Sequence, residues 1–243
     1  MKGGEPVVKF MRGAIISLSI IMIIAGIPNA YGSPLSGTVL HAWSHDRKSS
    51  YIEIHNVNRV LGSGDVYAIE QVVMAANYSG SAGVVLLEIQ AKNSKGKTCW
   101  YSFYWYGKDE VVIDSPSGSQ TISLDMSVPH TYRIEVARNS VTFLIDGGST
   151  KVTLNADVSK VEQINAGRWN KRSTYDLYID NVKEYWNGQL IASEDFEDGQ
   201  DNFYTDDVFR GRGDSGEEII SSEEVPEFPF LKDVIEYLSN LIG

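Results

Sequence analysis

The chain has 243 residues, an aromatic content of 11%, 22 glycines and only 7 prolines. This composition suits many strands joined by tight turns, and it excludes an intrinsically disordered chain. The formal net charge of −11 repels nucleic acid and anionic lipid surfaces, so we expect neither as a partner. Calcium and neutral sugars remain compatible with that charge. The single cysteine, Cys99, excludes an intrachain disulfide.

The N-terminal segment has the pattern of a secretory signal peptide. Basic residues precede an apolar run over residues 14–27, and Pro28 ends that run. The sequence "AYG", residues 30–32, then offers small residues at the spacing that signal peptidase recognises. We therefore predict a helical signal peptide over residues 1–32 and a secreted or cell-surface protein. An uncleaved anchor and a pilin-type signal are the alternatives, and Pro28 argues against the second because a pilin needs a long unbroken apolar helix.

The middle of the chain, residues 33–210, is predicted to form one β-sandwich domain. Its clearest unit is "TYRIEVARNSVTFLIDGG", residues 131–148, in which apolar and polar residues alternate on both sides of a tight turn. Alternation of period two with turns at this spacing indicates an antiparallel meander with one buried face. No helical period longer than two turns occurs before the C-terminal tail, so the predicted fold class is all-β.

The same hairpin resembles a known family. Residues 129–148 resemble the His-x-Tyr hairpin of the concanavalin A-like lectin/glucanase superfamily, in its laminin G-like branch. The matching residues are His130, Tyr132, Val141, Phe143, Ile145, Asp146 and Gly147. The run "DLYIDNVKEY", residues 176–185, resembles that family's penultimate strand, which jelly-roll carbohydrate-binding modules share. The resemblance implies a two-sheet antiparallel jelly roll over about residues 37–209.

The segment "LIASEDFEDGQDNF", residues 190–203, looks like the start of such a domain but follows the last core-like strand. We predict that it closes the fold by pairing with the N-terminal strand. The alternative is the stub of a second copy, but too few residues follow it to build another sandwich.

The C-terminal tail changes in composition. Residues 211–229 are polar and acidic and are predicted to be a linker. "FLKDVIEYLSNLIG", Phe230–Gly243, carries its apolar residues on one stripe and is predicted to be an amphipathic helix. Because it is too short and too charged to span a membrane, we expect it to dock on its own domain or to mediate association with itself or with another protein.

An aromatic run, "TCWYSFYWYG", divides into two faces if it is a strand. One face is predicted to join the core and carries Cys99, Tyr101, Phe103 and Trp105. The other face carries Trp100, Ser102, Tyr104 and Tyr106. Sugars stack their apolar faces on such rings while hydroxyls take hydrogen bonds. The predicted carbohydrate-binding residues are therefore Trp100, Tyr104, Tyr106 and, from a polar loop, Trp169. The alternative is that a loop or the C-terminal helix covers these rings.

Catalytic patterns of the resembled family are not evident in the sequence. Its glucanases imply three acidic residues alternating along one strand, and its lyase-like members imply a Gln-x-His pair; neither motif is found. Glu135 and Asp146 are the remaining candidate carboxylates, because they could be neighbours across the hairpin. The leading function is therefore a secreted or surface non-catalytic, lectin-like domain whose partner is a glycan or cell-surface polysaccharide. A structural or adhesive protein of a cell envelope or virion is the first alternative, and a divergent glycoside hydrolase is the second.

Two groups of residues could hold metal ions. An acidic turn is a candidate calcium site through Asp195, Glu197, Asp198 and Asp201; the alternative is a solvated turn. His41 and His45 share a face of a predicted strand, but no third ligand is evident, so they are predicted to be structural or surface histidines. Asn77 begins an N-glycosylation sequon beside a turn.

Overall fold

Two antiparallel sheets dominate the computed structural model of the protein. The structure describes residues 35–126, 128–169, 171–211 and 213–226. The predicted signal peptide and the predicted C-terminal helix lie outside these residues. Within them, no helix is long and apolar enough to cross a membrane.

Seventeen strands and two short 3₁₀ helices are found in the described part of the chain. In chain order they are β1 (Thr38–Ser44), β2 (Ser49–Ser50), β3 (Ile52–Val60), β4 (Val66–Gly80), β5 (Val84–Lys92), β6 (Thr98–Trp105), β7 (Glu110–Ser115), β8 (Gly118–Ser123), β9 (His130–Ala137), β10 (Ser140–Ile145), η1 (Asp146–Gly148), β11 (Thr150–Asn155), β12 (Lys160–Gly167), β13 (Ser173–Trp186), β14 (Gln189–Glu194), β15 (Asp206–Asp207), β16 (Arg210–Gly211), β17 (Ser215–Ser221) and η2 (Ser222–Glu224).

The strands form two large sheets. The first sheet has the order β11-β10-β9-β4-β13-β1-β17, with β14 also paired to β13. The second sheet has the order β15-β3-β12-β5-β6-β7-β8, and β2 and β16 make a small separate ladder. Neighbours in space are mostly distant in sequence, as crossing connections between two layers require. The predicted two-sheet antiparallel jelly roll is confirmed.

The core lies between the two sheets and follows the predicted alternation. On β6 the side chains of Cys99, Tyr101, Phe103 and Trp105 are buried. Phe103 reaches across the sandwich and meets the edges of two rings of the first sheet, with centroid distances of 5.1 Å to Tyr132 and 5.2 Å to Phe143. Edge-to-face rings at this separation add to the free energy gained by burying their apolar area. One face of the aromatic run is therefore core, as predicted.

The closing strand differs from the prediction. Gln189–Glu194 forms a hairpin with β13, and the N-terminal strand β1 instead pairs with β17 over seven register positions. The prediction that residues 190–203 pair with the N-terminal strand is therefore wrong. That segment reaches β1 through side chains, since the Thr38 hydroxyl donates to the Phe196 carbonyl at 2.6 Å.

The predicted acidic linker, residues 211–229, also contains structure. Its run "SGEEIIS" forms β17 at the edge of the first sheet. An edge strand needs only one partner and keeps much of its surface in water, so its composition can remain polar. Apolar and polar residues do not alternate fully in this run, so the sequence does not predict β17 as a strand.

Candidate functional site

A row of polar side chains crosses the outer face of the second sheet. Glu88 of β5 lies opposite Asn165 of β12 and opposite Ser102 of β6, and Ser102 lies opposite Asp114 of β7. Residues directly opposite in antiparallel strands point to the same face. We call these four residues the polar row; they come from four adjacent strands at one level of the sheet.

Glu88 is the centre of this row and only 1% of its surface is exposed. Its carboxylate accepts four hydrogen bonds, at Oε1 from Asn165 Nδ2 (2.9 Å) and Trp169 Nε1 (3.4 Å), and at Oε2 from Ser102 Oγ (2.7 Å) and Tyr104 OH (3.2 Å). An ionised carboxylate can only accept, and each of these partners can donate. The network therefore matches a negatively charged Glu88 held in one orientation.

Tyr104 contributes a hydroxyl that stays protonated. Burial raises the pKa of Tyr104 above its usual value of 10, and the nearby charge of Glu88 raises it further. A phenolate beside a carboxylate would be repelled in this half-buried place. Tyr104 is thus a hydrogen-bond donor over the physiological pH range and not a base.

A groove of about 400 Å³ opens above the polar row. Its lining residues are Glu88, Gln90, Trp100, Tyr104, Asp114 and Trp169. Trp100 is 47% exposed, so its ring is available to a ligand. Flat rings above carboxylates and an amide are the combination that binds a sugar, by stacking its apolar faces and hydrogen bonding its hydroxyls.

Trp169 reaches the groove because of the backbone just before it. Gly167 has φ +102°, and a Cβ on it would lie 2.6 Å from the Tyr51 carbonyl oxygen. The buried Arg168 then anchors the loop by donating to the Ser49 carbonyl at 2.9 Å. Glycine is therefore required for this close approach, and the approach sets Trp169 beside Glu88.

Three of the four predicted sugar-binding aromatics line the groove: Trp100, Tyr104 and Trp169. Tyr106 is 41% exposed and its ring centroid lies 6.3 Å from that of Tyr104, but it is not among the lining residues. The carboxylates Glu88 and Asp114 were missed. One signal was available for the first, since Glu88 is the single charge inside the apolar run "VVLLEIQ".

Glu135 and Asp146, the carboxylates considered from the sequence, have structural partners instead. Asp146 accepts hydrogen bonds from His130 Nδ1 at 2.7 Å and from the Thr131 amide at 2.9 Å. Glu135 pairs with Arg133 at 2.9 Å. The Asp146 bonds join the start of β9 to the end of β10, the Glu135 pair lies within β9, and the two carboxylates do not line the groove described above.

The acidic turn does not bring its four carboxylates together. Asp195 and Asp198 accept hydrogen bonds from backbone amides two residues further on, and Glu197 accepts one from the Thr38 amide at 3.0 Å. Within the described ranges, Asp201 instead groups with Glu53 and Glu217, ligand atoms lying within 4.8 Å of one another. Of the four residues predicted to bind calcium, Asp195, Glu197, Asp198 and Asp201, only Asp201 belongs to such a group in the described ranges, and the calcium site stays a prediction.

Glu53 in that group is fully buried, and neither of its carboxylate oxygens has a hydrogen-bond partner among the described residues. Burial, followed by the nearby Glu217, raises the pKa of Glu53 to about 11. Burial also raises the pKa of Asp201 to about 6. Glu53 is therefore neutral at physiological pH.

No protein-family model and no curated protein sequence matches this chain. Among solved structures, it is similar to the family 7 alginate lyase A1-II′ in complex with substrate, with a TM-score of 0.42 and 7% identity over 55% of this chain and 66% of that one. It is also similar to the Crh5 transglycosylase in complex with NAG (TM-score 0.41, 12% identity, 68% and 90% covered). A third similar structure is the β-glucanase of Bacillus licheniformis, with a TM-score of 0.34 and 17% identity over 53% of this chain and 67% of that one. The chain thus spans slightly less than two thirds of the length of the lyase.

These matches correct the main functional prediction. The sequence favoured a non-catalytic, lectin-like domain, whereas the similar structures named above are a lyase, a transglycosylase and a glucanase. The non-catalytic, lectin-like prediction is therefore contradicted by this comparison and is not kept. With identities of 7–17% and TM-scores of 0.34–0.42, the likeness concerns the fold alone, and the two-sheet jelly roll itself is established by the strand order.

Proposed function

We propose that this protein is a glycoside hydrolase that acts on a neutral polysaccharide, with Glu88 and Asp114 as its two carboxylates. The observation that carries the proposal is that both carboxylates line one groove walled by Trp100, Tyr104 and Trp169. Hydrolysis of a glycosidic bond needs one carboxyl group to protonate the leaving oxygen and a second to activate water or attack the sugar. Aromatic walls hold the sugar rings against that pair.

The two carboxylates have different surroundings, which suggests different roles. Glu88 accepts hydrogen bonds from four donors, so it suits the base or nucleophile. Its two longer hydrogen bonds, from Tyr104 and Trp169, come from residues that line the groove and can yield to a substrate or water. Among the residues that the structure describes, Asp114 has no such network of donors, and it is half-buried, so it suits the proton donor.

The spacing of the strands favours an inverting mechanism. Glu88 and Asp114 lie two strands apart at the same level, because Ser102 is opposite both. Neighbouring strands are about 4.8 Å apart, which separates the two backbones by about 10 Å. Inverting enzymes keep their carboxyl groups about 6.5–9.5 Å apart to leave room for a water, whereas retaining enzymes need about 5–5.5 Å.

The charge of the groove favours a neutral substrate. The six lining residues include two carboxylates and no lysine, arginine or histidine. A lyase that acts on a uronic acid polymer must neutralise the carboxylate of its substrate, and this groove would repel it. The proposal therefore concerns hydrolysis and not β-elimination.

The test is release of reducing ends from a panel of neutral polysaccharides by the full chain. We expect Glu88→Gln and Asp114→Asn each to lower kcat by a factor of about 100 or more, the usual contribution of a general acid or base. Glu224→Gln, at an exposed site outside the groove, is the matched control and should retain activity. Trp100→Ala should mainly raise KM, because it removes stacking surface without touching the carboxylates.

Two results would overturn the proposal. One is the appearance of unsaturated sugars from an acidic polysaccharide, which would indicate a lyase. The other is tight binding of a neutral polysaccharide by the wild-type chain with no bond cleavage. Proton nuclear magnetic resonance of the first product gives the anomeric configuration, and retention would contradict the inverting assignment alone.

Secretion is part of the proposal, since a polysaccharide substrate is met outside the cell. The support is the predicted signal peptide over residues 1–32. Expression with and without these residues, followed by mass measurement of the exported chain, tests both export and cleavage after Gly32.

A further inference from the structure

A second cluster of functional side chains lies on the outer face of the first sheet, away from the groove. His41 of β1 and His45, the first residue after β1, flank Trp43, and Asp176 of β13 lies directly opposite Trp43. On the other side of β1, Glu218 of β17 lies opposite His41. Asp214 follows the same register, since the His45 amide donates to the Asp214 carbonyl at 2.8 Å. Three strands thus bring two imidazoles between three carboxylates.

The distances show which ring nitrogens converge. Asp176 Oδ1 lies 2.9 Å from His41 Nε2 and 2.7 Å from His45 Nε2. The opposite ring nitrogens face the outer carboxylates, at 3.3 Å from His41 Nδ1 to Glu218 Oε1 and at 3.2 Å from His45 Nδ1 to Asp214 Oδ2. Asn77 Nδ2 donates to the other Asp176 oxygen at 2.5 Å, which fixes that carboxylate.

Proton counting shows that this arrangement needs either two additional protons on the rings or a bound cation. A neutral imidazole carries one N–H and one lone pair. Four ring nitrogens face carboxylate oxygens here, so two neutral rings would leave two lone pairs directed at negatively charged oxygens. A metal ion at the two Nε2 atoms and Asp176 Oδ1 removes that conflict, because each Nδ1–H then donates to Glu218 or Asp214.

An imidazole that binds a metal through one nitrogen and donates to a carboxylate from the other is a common arrangement in protein metal sites. Metal-bound histidines commonly donate their other ring N–H to a carboxylate, which fixes the tautomer and the ring orientation. Both histidines here have such a carboxylate. His41 is further held by stacking on Tyr178, with ring centroids 4.7 Å apart and an angle of 14° between the planes. The rings are therefore oriented before a metal arrives.

The ligand set selects the metal. Two imidazole nitrogens and one carboxylate oxygen suit zinc and its neighbours in the first transition series, whereas calcium and magnesium prefer oxygen ligands alone. The three ligand atoms lie within 4.8 Å of one another. Tetrahedral ligands about 2.0–2.1 Å from zinc are roughly 3.3 Å apart, so the distances to Asp176 Oδ1 need to open by only about half an ångström.

Access and charge also fit a metal ion. The Asp176 side chain is 2% exposed and that of His41 is 11% exposed, but that of His45 is 44% exposed, so one side of the cluster is open to solvent. Asp46 adds a fourth carboxylate nearby, because its Oδ2 accepts from the Asp214 amide at 3.2 Å. The local charge is strongly negative, which favours a divalent cation over the empty cluster.

We propose that His41, His45 and Asp176 bind a zinc-class divalent metal ion, with Glu218 and Asp214 as positioning residues that orient the two imidazoles. A water completes the coordination on the exposed side. The ion joins β1 to β13 directly and to β17 through the two positioning carboxylates. Its expected effect is to stabilise this edge of the sandwich.

The test uses the full, untagged chain after removal of metal with a chelator. Titration with ZnCl₂ by calorimetry should give one equivalent of tight binding, and thermal unfolding should shift upward with zinc concentration. Co²⁺ should give the absorption spectrum of a tetrahedral site, and Cu²⁺ should quench tryptophan fluorescence because Trp43 lies between the two ligands. None of these readouts depends on hydrolase activity.

Variants separate the site from chance binding. His45→Gln changes a partly exposed side chain, so it should fold and lose zinc binding. Asp214→Asn should weaken binding about 10- to 100-fold, as loss of an outer-shell partner does. His55→Gln is the matched control, because His55 Nδ1 donates to the Phe203 carbonyl oxygen at 2.7 Å and His55 is not in the cluster.

The proposal is overturned if the wild-type chain shows no stoichiometric zinc binding, or if His45→Gln binds zinc as tightly as the wild type. It is also overturned if nitrogen chemical shifts show both histidines doubly protonated and unchanged by zinc at neutral pH. In that case a proton network, not a metal, fills the cluster.

Discussion

At the scale of single residues, the polar row shows how one buried carboxylate depends on distant neighbours. Glu88 takes its donors from residues 14 to 81 positions away along the chain. A single charge in an apolar strand could be noticed in the sequence, but its partners could not be named, because strand order decides which side chains meet.

Asn165→Asp tests that dependence. Asn165 is fully buried and its amide donates to Glu88 Oε1 at 2.9 Å. A carboxylate there would face Glu88, and repulsion between two buried charges favours protonation of one of them. We expect a loss on the order of 3 kcal/mol in unfolding free energy at pH 8, with partial recovery near pH 4.

The matched control for this variant is Gln163→Glu, two residues earlier on β12, where the Gln163 amide donates to Asn56 and not to a carboxylate. Denaturant unfolding of both variants at pH 8 and pH 4 gives the comparison. A loss for Asn165→Asp that is the same at both pH values would contradict the electrostatic explanation.

Glu53 gives a second residue-level prediction, on pH. Burial, followed by the nearby Glu217, raises the pKa of Glu53 from the ordinary value of 4.5 to about 11 in the folded protein. A raised carboxyl pKa means that the folded state holds a proton that the unfolded state releases, so its contribution to stability is full below pH 4.5 and is lost as pH rises toward 11. The loss is at most about 1.4 kcal/mol per pH unit.

Glu53→Gln keeps the shape of the neutral acid and removes the titration. The difference in Tm between this variant and the wild type should therefore grow in favour of the variant from pH 5 to pH 8, measured with a chelator present. Glu223→Gln, at an exposed position, serves as the control. A difference that stays constant over this range would show that Glu53 is ionised in the folded protein.

At the scale of elements, the loop after β12 depends on one glycine. Gly167→Ala would combine φ +102° with a Cβ only 2.6 Å from the Tyr51 carbonyl oxygen. Gly96→Ala also has a positive φ, of 75°, but nothing lies within 4 Å of its Cβ. Backbone strain alone costs about 1–3 kcal/mol. Gly96→Ala should therefore lower the free energy of unfolding by that amount, and Gly167→Ala should lower it by distinctly more.

Gly167→Ala should also move Trp169 away from Glu88 and lower hydrolase activity, whereas Gly96→Ala should leave activity unchanged. Urea unfolding and tryptophan emission measure the two effects. Equal losses of stability in both variants would show that the loop relaxes around the new methyl group.

The edge strand β17 gives a prediction about local opening. Within the described ranges β17 pairs with β1 alone, whereas β13 has β4 and β1 as neighbours on its two sides. Strands with one partner and much exposed surface open at lower free energy than central strands. Hydrogen exchange should therefore be faster for amides of residues 215–221 than for those of the central part of β13, and slower exchange in β17 would contradict this ranking.

The same elements show what the sequence can and cannot predict. Alternation assigned the inward face of β6 correctly, and the hairpin of β9 and β10 together with "IDNV" predicted the fold. The polar run of β17 was assigned to a linker because an edge strand lacks a full buried face. The third member of the histidine cluster, Asp176, lies 131 residues from His45, and only the pairing of β1 with β13 brings them together.

At the scale of the whole molecule, charge should select the substrate. The chain carries a formal net charge of −11, and the groove adds Glu88 and Asp114 without a cation among its lining residues. An anionic polysaccharide is repelled both by the overall field and by these two carboxylates. A neutral polymer meets only the aromatic walls and hydrogen-bonding groups, which depend little on ionic strength.

We therefore expect activity on a neutral polysaccharide to change little between low salt and about 0.5 M salt, where the Debye length falls to roughly 4 Å. Carboxymethylation of the same polymer should lower kcat/KM at low salt, and added salt should restore part of the loss by screening the repulsion.

Arg210→Gln is the informative variant for this charge effect, because Asp114→Asn would remove a proposed catalytic group. Arg210 lies over the Trp169 ring at 5.7 Å, and its loss should deepen the discrimination against the anionic polymer by removing a positive charge beside the groove. A preference for the carboxymethylated polymer at low salt would instead mean that Arg210 governs the field at the groove, and it would redirect the assignment toward an acidic substrate.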